Sequence, residues 1–377
     1  MINIDIKDIE KAPSDWSDIF DYKENIPDLL AKIEKIDKGW KNIIVVGNGG
    51  SITSYDAYRK ALPSARNSAT VWTMDPFALR EVKKKFNKSD TVVIAVSKSG
   101  NTLGQIESLL YFNDYDIVVV TDPGSGALSE IAKKMNWDII EHPPVGGRFS
   151  GGTSSAFVPS LLAGIDIESI QSGIIGGYEK FKDQAYTLSK YYFDMEKRGY
   201  GEVYISIYSV ALEGFQNLII QLMHESVCKD GKGQTFYISM APESQHHTNQ
   251  RFLGGKRNVI GTFICSTDTP EDEKIMIPDK ISSIGYKGEK LGFINGLNYQ
   301  EALRAEYQGT KQDADRLEIP NVTIELGKIN EETVGELVSF WHMVAFYSSI
   351  LRKVDPFDQP AVETSKNITL DIIKENF

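Results

Sequence analysis

Apolar residues in this chain come in short runs that stop at glycine or serine and then give way to a wider, helical spacing. Lys41 to Val46 is such a run, closed by Gly47, Asn48, Gly49, Gly50 and Ser51, after which Tyr55, Tyr58 and Leu62 recur at helical spacing. Thr91 to Val96 repeats the pattern: Ser97, Lys98, Ser99, Gly100, Asn101 and Thr102 follow, then Leu103, Ile106, Leu109 and Leu110 on one side of a helix. A third unit runs from Asp116 to Val120 through Asp122-Pro123-Gly124 to Leu128, Ile131, Ala132 and Met135. Strands alternating with helices predict a mainly parallel sheet covered on both faces. The loops then gather at the strand C-termini, where such sheets bind ligands.

The same pattern restarts at Glu202 to Tyr208, followed by a helix from Ser209 to Val227, with further strands expected at Thr235 to Met240, Asn258 to Cys265 and Val322 to Leu326. Between the halves, residues 163–197 carry Gly164, Gly173, Gly176 and Gly177 and then a helical pattern from Phe181 to Phe193, which reads as a connection. Glu331 to Val354 has Leu337, Trp341, Val344, Ala345, Ser348 and Leu351 at the spacing of a long buried helix. The expected fold is α/β, with two three-layer α/β/α lobes, mainly parallel sheets and a C-terminal helical segment. The expected divisions are an N-terminal extension over 1–40, a first lobe over 41–165, a helical connection over 166–200, a second lobe over 201–330 and C-terminal helices over 331–377.

A chain of 377 residues is too long for one ordinary core, which fits two lobes. No run approaches the 18 apolar residues of a membrane span, and Met1 to Glu10 alternates charge with isoleucine instead of building a signal peptide, so a cytoplasmic protein away from membranes is expected. Cys228 and Cys265 lack CxxC spacing and are expected to be reduced and structural. A formal net charge of −11 would repel a phosphate backbone and argues against nucleic-acid binding. A phosphorylated small molecule would need a local cluster of donors.

Two glycine- and serine-rich strand-to-helix loops supply such donors, since backbone N–H groups at helix starts and small hydroxyls can surround a phosphate without a metal. Gly47 to Ser51 lacks the G-x-G-x-x-G spacing of a dinucleotide loop, and Ser97 to Thr102 lacks the G-K-[ST] ending of a P-loop. On the mostly apolar helix 209–227, Glu213, Asn217, Gln221 and Glu225 repeat every four residues and share one stripe, which is a solvated face or a catalytic one. In Gly146-Gly147-Arg148 the glycines permit close backbone approach and can hold a planar cation facing inward. Gln245, His246 and His247 follow a predicted strand, and a histidine suits proton exchange near neutrality. No HxxxH or HExxH spacing accompanies them, so no metal is expected. Near the C-terminus, Asp355-Pro356 and Gln359-Pro360 form a turn before a helix on which Glu363 and Lys366 are neighbours one turn apart.

The loop SKSGNT, residues 97–102, is similar to the phosphate loop of sugar isomerase (SIS) domains. The strings GNGGS, SKSGNT, GGRFS, QLMHES and FDQPAVETSK occur in the order found in phosphoglucose isomerases, and the last resembles their C-terminal signature. The resemblance spans Gly47 to Lys366. It implies two SIS-type lobes and reversible conversion of glucose 6-phosphate to fructose 6-phosphate, a step of glycolysis and gluconeogenesis, without a cofactor. It would place Gly50, Ser51, Ser97, Ser99 and Thr102 on the phosphate with Lys98 near it. Glu225 would be the base that moves a proton between C2 and C1, Arg148 would stabilise the cis-enediolate, Gln221 and Gln359 would position the sugar, and His246 with Lys366 would open the ring. The Gln245-His246 pair would reach the neighbouring site of a homodimer, with His247 a bystander. Two rivals stay open: an isomerase that also accepts mannose 6-phosphate, and a non-catalytic SIS-type sugar-phosphate sensor. The sensor would need no Glu225, Arg148 or Lys366.

Overall fold

The computed structural model describes residues 2–268 and 273–376. Along the chain the strands are β1 (Ile2–Ile4), β2 (Asn42–Val46), β3 (Asn67–Val71), β4 (Thr91–Val96), β5 (Asp116–Thr121), β6 (Asp138–Glu141), β7 (Glu202–Tyr208), β8 (Thr235–Met240), β9 (Val259–Ser266), a small hairpin of β10 (Gly285–Tyr286) and β11 (Glu289–Lys290), and β12 (Asn321–Leu326). The helices of the first half are α1 (Ile26–Ile36), α2 (Thr53–Ala61), α3 (Pro76–Lys85), α4 (Leu103–Leu110), α5 (Ala127–Met135) and α6 (Ser154–Ala163). Those that follow are α7 (Ile167–Lys180), α8 (Lys182–Lys197), α9 (Phe215–Val227), α10 (Thr248–Gly254), α11 (Asp279–Ser282), α12 (Tyr299–Arg316), α13 (Glu331–Arg352) and α14 (Glu363–Asn376).

Two five-stranded sheets carry the fold. The first has the order β3-β2-β4-β5-β6 and is parallel throughout, with Val46 of β2 opposite Val71 and Ala95. Ile43–Val46 and Val92–Val96 are fully buried, as expected of strands covered by helices on both faces. The second has the order β1-β12-β9-β7-β8, parallel except for β1, which runs antiparallel to β12 with Ile2 opposite Leu326. Edge strands β1, β3 and β6 were not expected from the sequence. They are short and carry polar residues, so they show no apolar run.

The glycine-bearing stretch read as a connection contains a regular helix, α7. Its glycines serve packing: a Cβ on Gly173 would lie 2.0 Å from the Glu332 carbonyl oxygen, and one on Gly335 would lie 2.3 Å from that of Ile170. Losing those side chains lets α7 and α13 approach backbone to backbone, which offsets the low helix propensity of glycine. Helix α13 is long and apolar enough to cross a membrane by composition, but 89% of its apolar window is buried against protein. It is a core helix packed on α7, α8 and α9.

The helix expected from Ser209 begins later. Val210–Leu212 is a separate 3₁₀ turn, Gly214 backs onto Ala57 with no room for a side chain, and α9 starts at Phe215. Glu213 therefore leaves the expected stripe and pairs with Lys60 at 3.5 Å. The cysteines also separate. Cys265 is buried in β9, where burial pushes its thiol up to about 12, whereas Cys228 is exposed just past α9 and is no core residue.

Candidate active site

The loops after β2, β4 and β6 meet the C-terminal end of α9 and the segment 355–359. Their centre is Arg148, in the 3₁₀ segment Gly147–Gly152 and only 6% exposed. All five guanidinium N–H bonds are used. Nε donates to Ser226 Oγ at 2.8 Å, Nη1 to Glu225 Oε2 at 3.0 Å and Gln359 Oε1 at 2.8 Å, and Nη2 to the carbonyls of Pro356 at 2.7 Å and Asp358 at 2.8 Å. Burial pulls the Arg148 pKa down from the usual arginine value, opposed by the charges of Glu225, Asp358 and Asp355. The result is a fixed planar cation whose orientation is set by five acceptors.

Glu225 receives its second contact from its own helix. Gln221, one turn earlier, donates from Nε2 to Glu225 Oε1 at 2.9 Å, and Thr53 Oγ donates to Gln221 Oε1 at 3.4 Å. The carboxylate is held at both oxygens, yet its side chain keeps 32% of its exposure and can meet a ligand. Gly50 brings the first loop against this cluster. A Cβ there would lie 2.2 Å from the Arg148 backbone nitrogen and 2.5 Å from Gly147 C, so only glycine lets the two loops touch.

Beside this cluster lies a cleft of about 720 Å³ lined by Ser99, Thr102, Gln359, Glu363, Lys366 and Met74 among others. It opens onto the N-terminus of α4, where Gln105 N already bonds the Thr102 carbonyl at 3.1 Å and the N–H groups of Leu103 and Gly104, which precede the first helical bond, favour an anion. Thr102 and Ser99 face this cleft, but Ser97 is buried and its Oγ accepts from Gly100 N at 3.2 Å, shaping the loop from within. Lys98 donates to the Pro144 carbonyl at 3.3 Å, tying this loop to the one that carries Arg148. Ser51 closes the 3₁₀ turn Gly49–Ser51 next to Gly147. Lys366 is exposed on α14 and pairs with Glu363 at 2.7 Å.

The Gln245 pair lies elsewhere. Gln245 Nε2 donates to Tyr208 Oη, Thr310 Oγ and the Glu306 carbonyl, so it is turned toward α12. His246 ends a 3₁₀ turn after edge strand β8 and is exposed, and His247 Nδ1 bonds Thr248 Oγ at 2.6 Å. Two further groups belong to the cluster that the sequence does not single out. Ser226 supplies the acceptor for Arg148 Nε, and Lys229, two residues past α9, pairs with Asp358 at 2.6 Å and bonds the Asp355 carbonyl. A lysine just beyond a helix end was the available signal for Lys229, and it reads equally well as a dipole partner.

The glucose-6-phosphate isomerase of Methanocaldococcus jannaschii is 30% identical to this chain over 365 residues, covering 91% of this chain and 88% of the relative. The chain belongs to the glucose-6-phosphate isomerase family. No family model matches it. Among solved structures, a hypothetical protein from Thermus thermophilus superposes with a TM-score of 0.85 at 22% identity, covering 94% of this chain and 89% of that one. A glucose-6-phosphate isomerase from Chlamydia trachomatis gives 0.73 at 19% identity, covering 93% and 74%. At these identities the superpositions show the fold, which is the SIS-type α/β fold of sugar isomerases. Glucose-6-phosphate isomerase family members are aldose-ketose isomerases, and this chain is an enzyme of that class.

Proposed function

We propose that this protein interconverts glucose 6-phosphate and fructose 6-phosphate, with Glu225 as the proton carrier. The observation that carries the reading is the Glu225 carboxylate fixed between Gln221 and Arg148, at 2.9 and 3.0 Å, beside a cleft lined by Ser99 and Thr102 at the N-terminus of α4. A sensor has no use for a carboxylate oriented in this way. The 6-phosphate sits at the start of α4 against Thr102 and Ser99, with Ser97, Ser51 and Gly50 shaping the surrounding loops and Lys98 near it.

In the forward direction the ring opens first, with Lys366 and the partner subunit's His246 exchanging the hydroxyl and ring-oxygen protons. Glu225 then takes the C2 proton of the open-chain aldose, and the electron pair moves into a C1–C2 double bond to give a cis-enediolate. A proton passes between O2 and O1, and Glu225 returns its proton to C1, leaving a C2 ketone. Arg148 lies at hydrogen-bond distance from the base and supplies fixed positive charge as the oxyanion forms, a role that needs no reorganisation during the reaction. Gln359 and Gln221 orient the sugar. No redox cofactor is required, because the carbon skeleton is neither oxidised nor reduced overall.

The exposure of His246 on an edge of the second lobe supports a homodimer in which this residue enters the neighbouring site. A cytoplasmic location follows from the glycolytic role. The test is incubation with fructose 6-phosphate while glucose 6-phosphate is followed through a coupled dehydrogenase. Steady turnover is expected. Binding of either sugar phosphate without turnover would favour the sensor, and equal turnover of mannose 6-phosphate would favour the broader isomerase.

A further inference from the structure

Arg148 can orient Glu225 only as well as its other acceptors are placed, and two of those are backbone carbonyls, Pro356 and Asp358, in a segment without regular structure. A third is the Gln359 side chain in the same segment. Three of the five guanidinium bonds thus end on residues 356–359. Something must fix that segment. One anchor is apolar: the Phe357 ring meets Phe149 edge-on at 5.4 Å, yet Phe357 is 40% exposed. The other is ionic. Lys229 Nζ pairs with the Asp358 carboxylate at 2.6 Å and also bonds the Asp355 carbonyl, and its side chain is only 9% exposed.

The placement of the charges explains the arrangement. Asp355, Asp358 and Glu225 bring three carboxylates to Arg148, and Lys229 is a second cation that compensates Asp358 without competing for Arg148. The segment is also the root of α14, since no described residue from 360 to 376 is buried. What holds residues 355–358 therefore sets the starting point of the helix that bears Lys366.

We infer that Lys229 is a positioning residue for the isomerisation: it clamps the segment 355–358 so that Arg148 and Gln359 meet Glu225 in reacting geometry. This rests on the isomerase reading above. Lys229 acts through Arg148 and Gln359, so its loss is felt in the transition state and not at the phosphate, which is bound on the opposite side of the cleft by α4.

The test is Lys229→Met in the full chain, compared with Lys229→Arg, which can span a carboxylate and a carbonyl. For Lys229→Met, kcat is expected to fall about 30-fold, consistent with a displacement of under 1 Å at the reacting centre. Inhibition by inorganic phosphate should stay within about twofold, while the planar mimic 5-phosphoarabinonate should weaken by a factor similar to the loss in kcat/KM. Lys229→Arg should recover most of the activity. Loss of phosphate and mimic binding to the same degree, or kcat within about twofold of wild type, would overturn the clamp.

Hydrogen exchange of residues 353–366 gives a readout independent of turnover. It should accelerate about tenfold in Lys229→Met, and unchanged exchange refutes the clamp whatever sugar the wild type uses. If Lys229→Met does not fold, Asp358→Asn decides, because its side chain is half exposed. It should show the same pattern at smaller size, and wild-type behaviour of this variant also overturns the clamp. Wild type without isomerase activity, together with faster exchange in Lys229→Met, would instead remove the isomerase reading and leave the clamp standing.

Discussion

Gly50→Ala adds one methyl group and should disable the site. The new Cβ would meet Arg148 N at 2.2 Å, Gly147 C at 2.5 Å and Arg148 Cα at 2.6 Å, whereas ordinary van der Waals contact begins near 3.4 Å. All three are backbone atoms, so no rotamer relieves the clash and the loops must part by roughly 1 Å. Arg148 is carried along, and its five hydrogen bonds lengthen or break. Overpacking of this kind costs about 1–3 kcal/mol of stability. A shift of about 1 Å in a positioned group costs about 10²-fold in rate.

Gly146→Ala is the control. It lies in the loop that carries Arg148, has φ −63° and ψ 140°, and a Cβ there meets no heavy atom within 4 Å. It should leave kcat/KM unchanged and raise the melting temperature slightly, because alanine restricts the unfolded chain. The assay is coupled-dehydrogenase kcat/KM with thermal melting on both variants. Gly50→Ala retaining kcat/KM within about threefold of Gly146→Ala would refute the close-approach argument.

Thr102→Val should raise KM about tenfold or more with little change in kcat, because in the proposed site its hydroxyl meets the non-reacting phosphate and acts in ground and transition states alike; a fall in kcat with constant KM would move the phosphate elsewhere. Acid sensitivity should trace in part to His342, buried on α13 beside Tyr178 and Phe149, whose imidazole burial holds down to about 3. The unfolded chain protonates this histidine near pH 6.5 and the folded one does not, so stability falls by up to about 1.4 kcal/mol per pH unit as pH drops from 6.5 toward 3. Urea unfolding of His342→Phe at pH 7 and pH 5 should show a shallower loss than wild type, and equal slopes would contradict that origin. Co-expressed Glu225→Gln and His246→Ala chains should recover roughly a quarter of wild-type activity if sites are shared across a two-fold axis. Mixed dimers with no recovery would return His246 to an ordinary loop residue.

The parts of the fold that could be read from sequence are those where burial dominates. Strands β2, β4 and β5 appear as unbroken apolar runs and β7 as one interrupted only by the buried Ser206, whereas β1, β3 and β6 are short edges with polar residues and leave no such trace. Helix α7 falls within the expected helical connection over 166–200, but its packing role could not be read, because Gly173 serves a contact with α13, far away in sequence. In the site, Gln221 and Glu225 were legible as a pair because a helix turn makes neighbours of residues four apart. The acceptors of Arg148 were not, since Glu225 and Gln359 are 77 and 211 residues distant and meet only in the folded chain. Lys229 is illegible for the same reason, as its partners Asp355 and Asp358 belong to the far end of the sequence.

Proton transfer through a side-chain carboxylate is the central step of the proposed reaction. Glu225 keeps 32% exposure, so the proton it carries can exchange with water during the lifetime of the enediolate. Fructose 6-phosphate should be incubated with the enzyme in ²H₂O over many turnovers and the recovered sugars examined by NMR. Deuterium should accumulate at C2 of glucose 6-phosphate and at C1 of fructose 6-phosphate, and Glu225→Gln should abolish both isomerisation and exchange. Full isomerisation with no deuterium at either carbon would contradict a solvent-exchanging carboxylate carrier, and exchange at an undiminished rate in Glu225→Gln would mean another base.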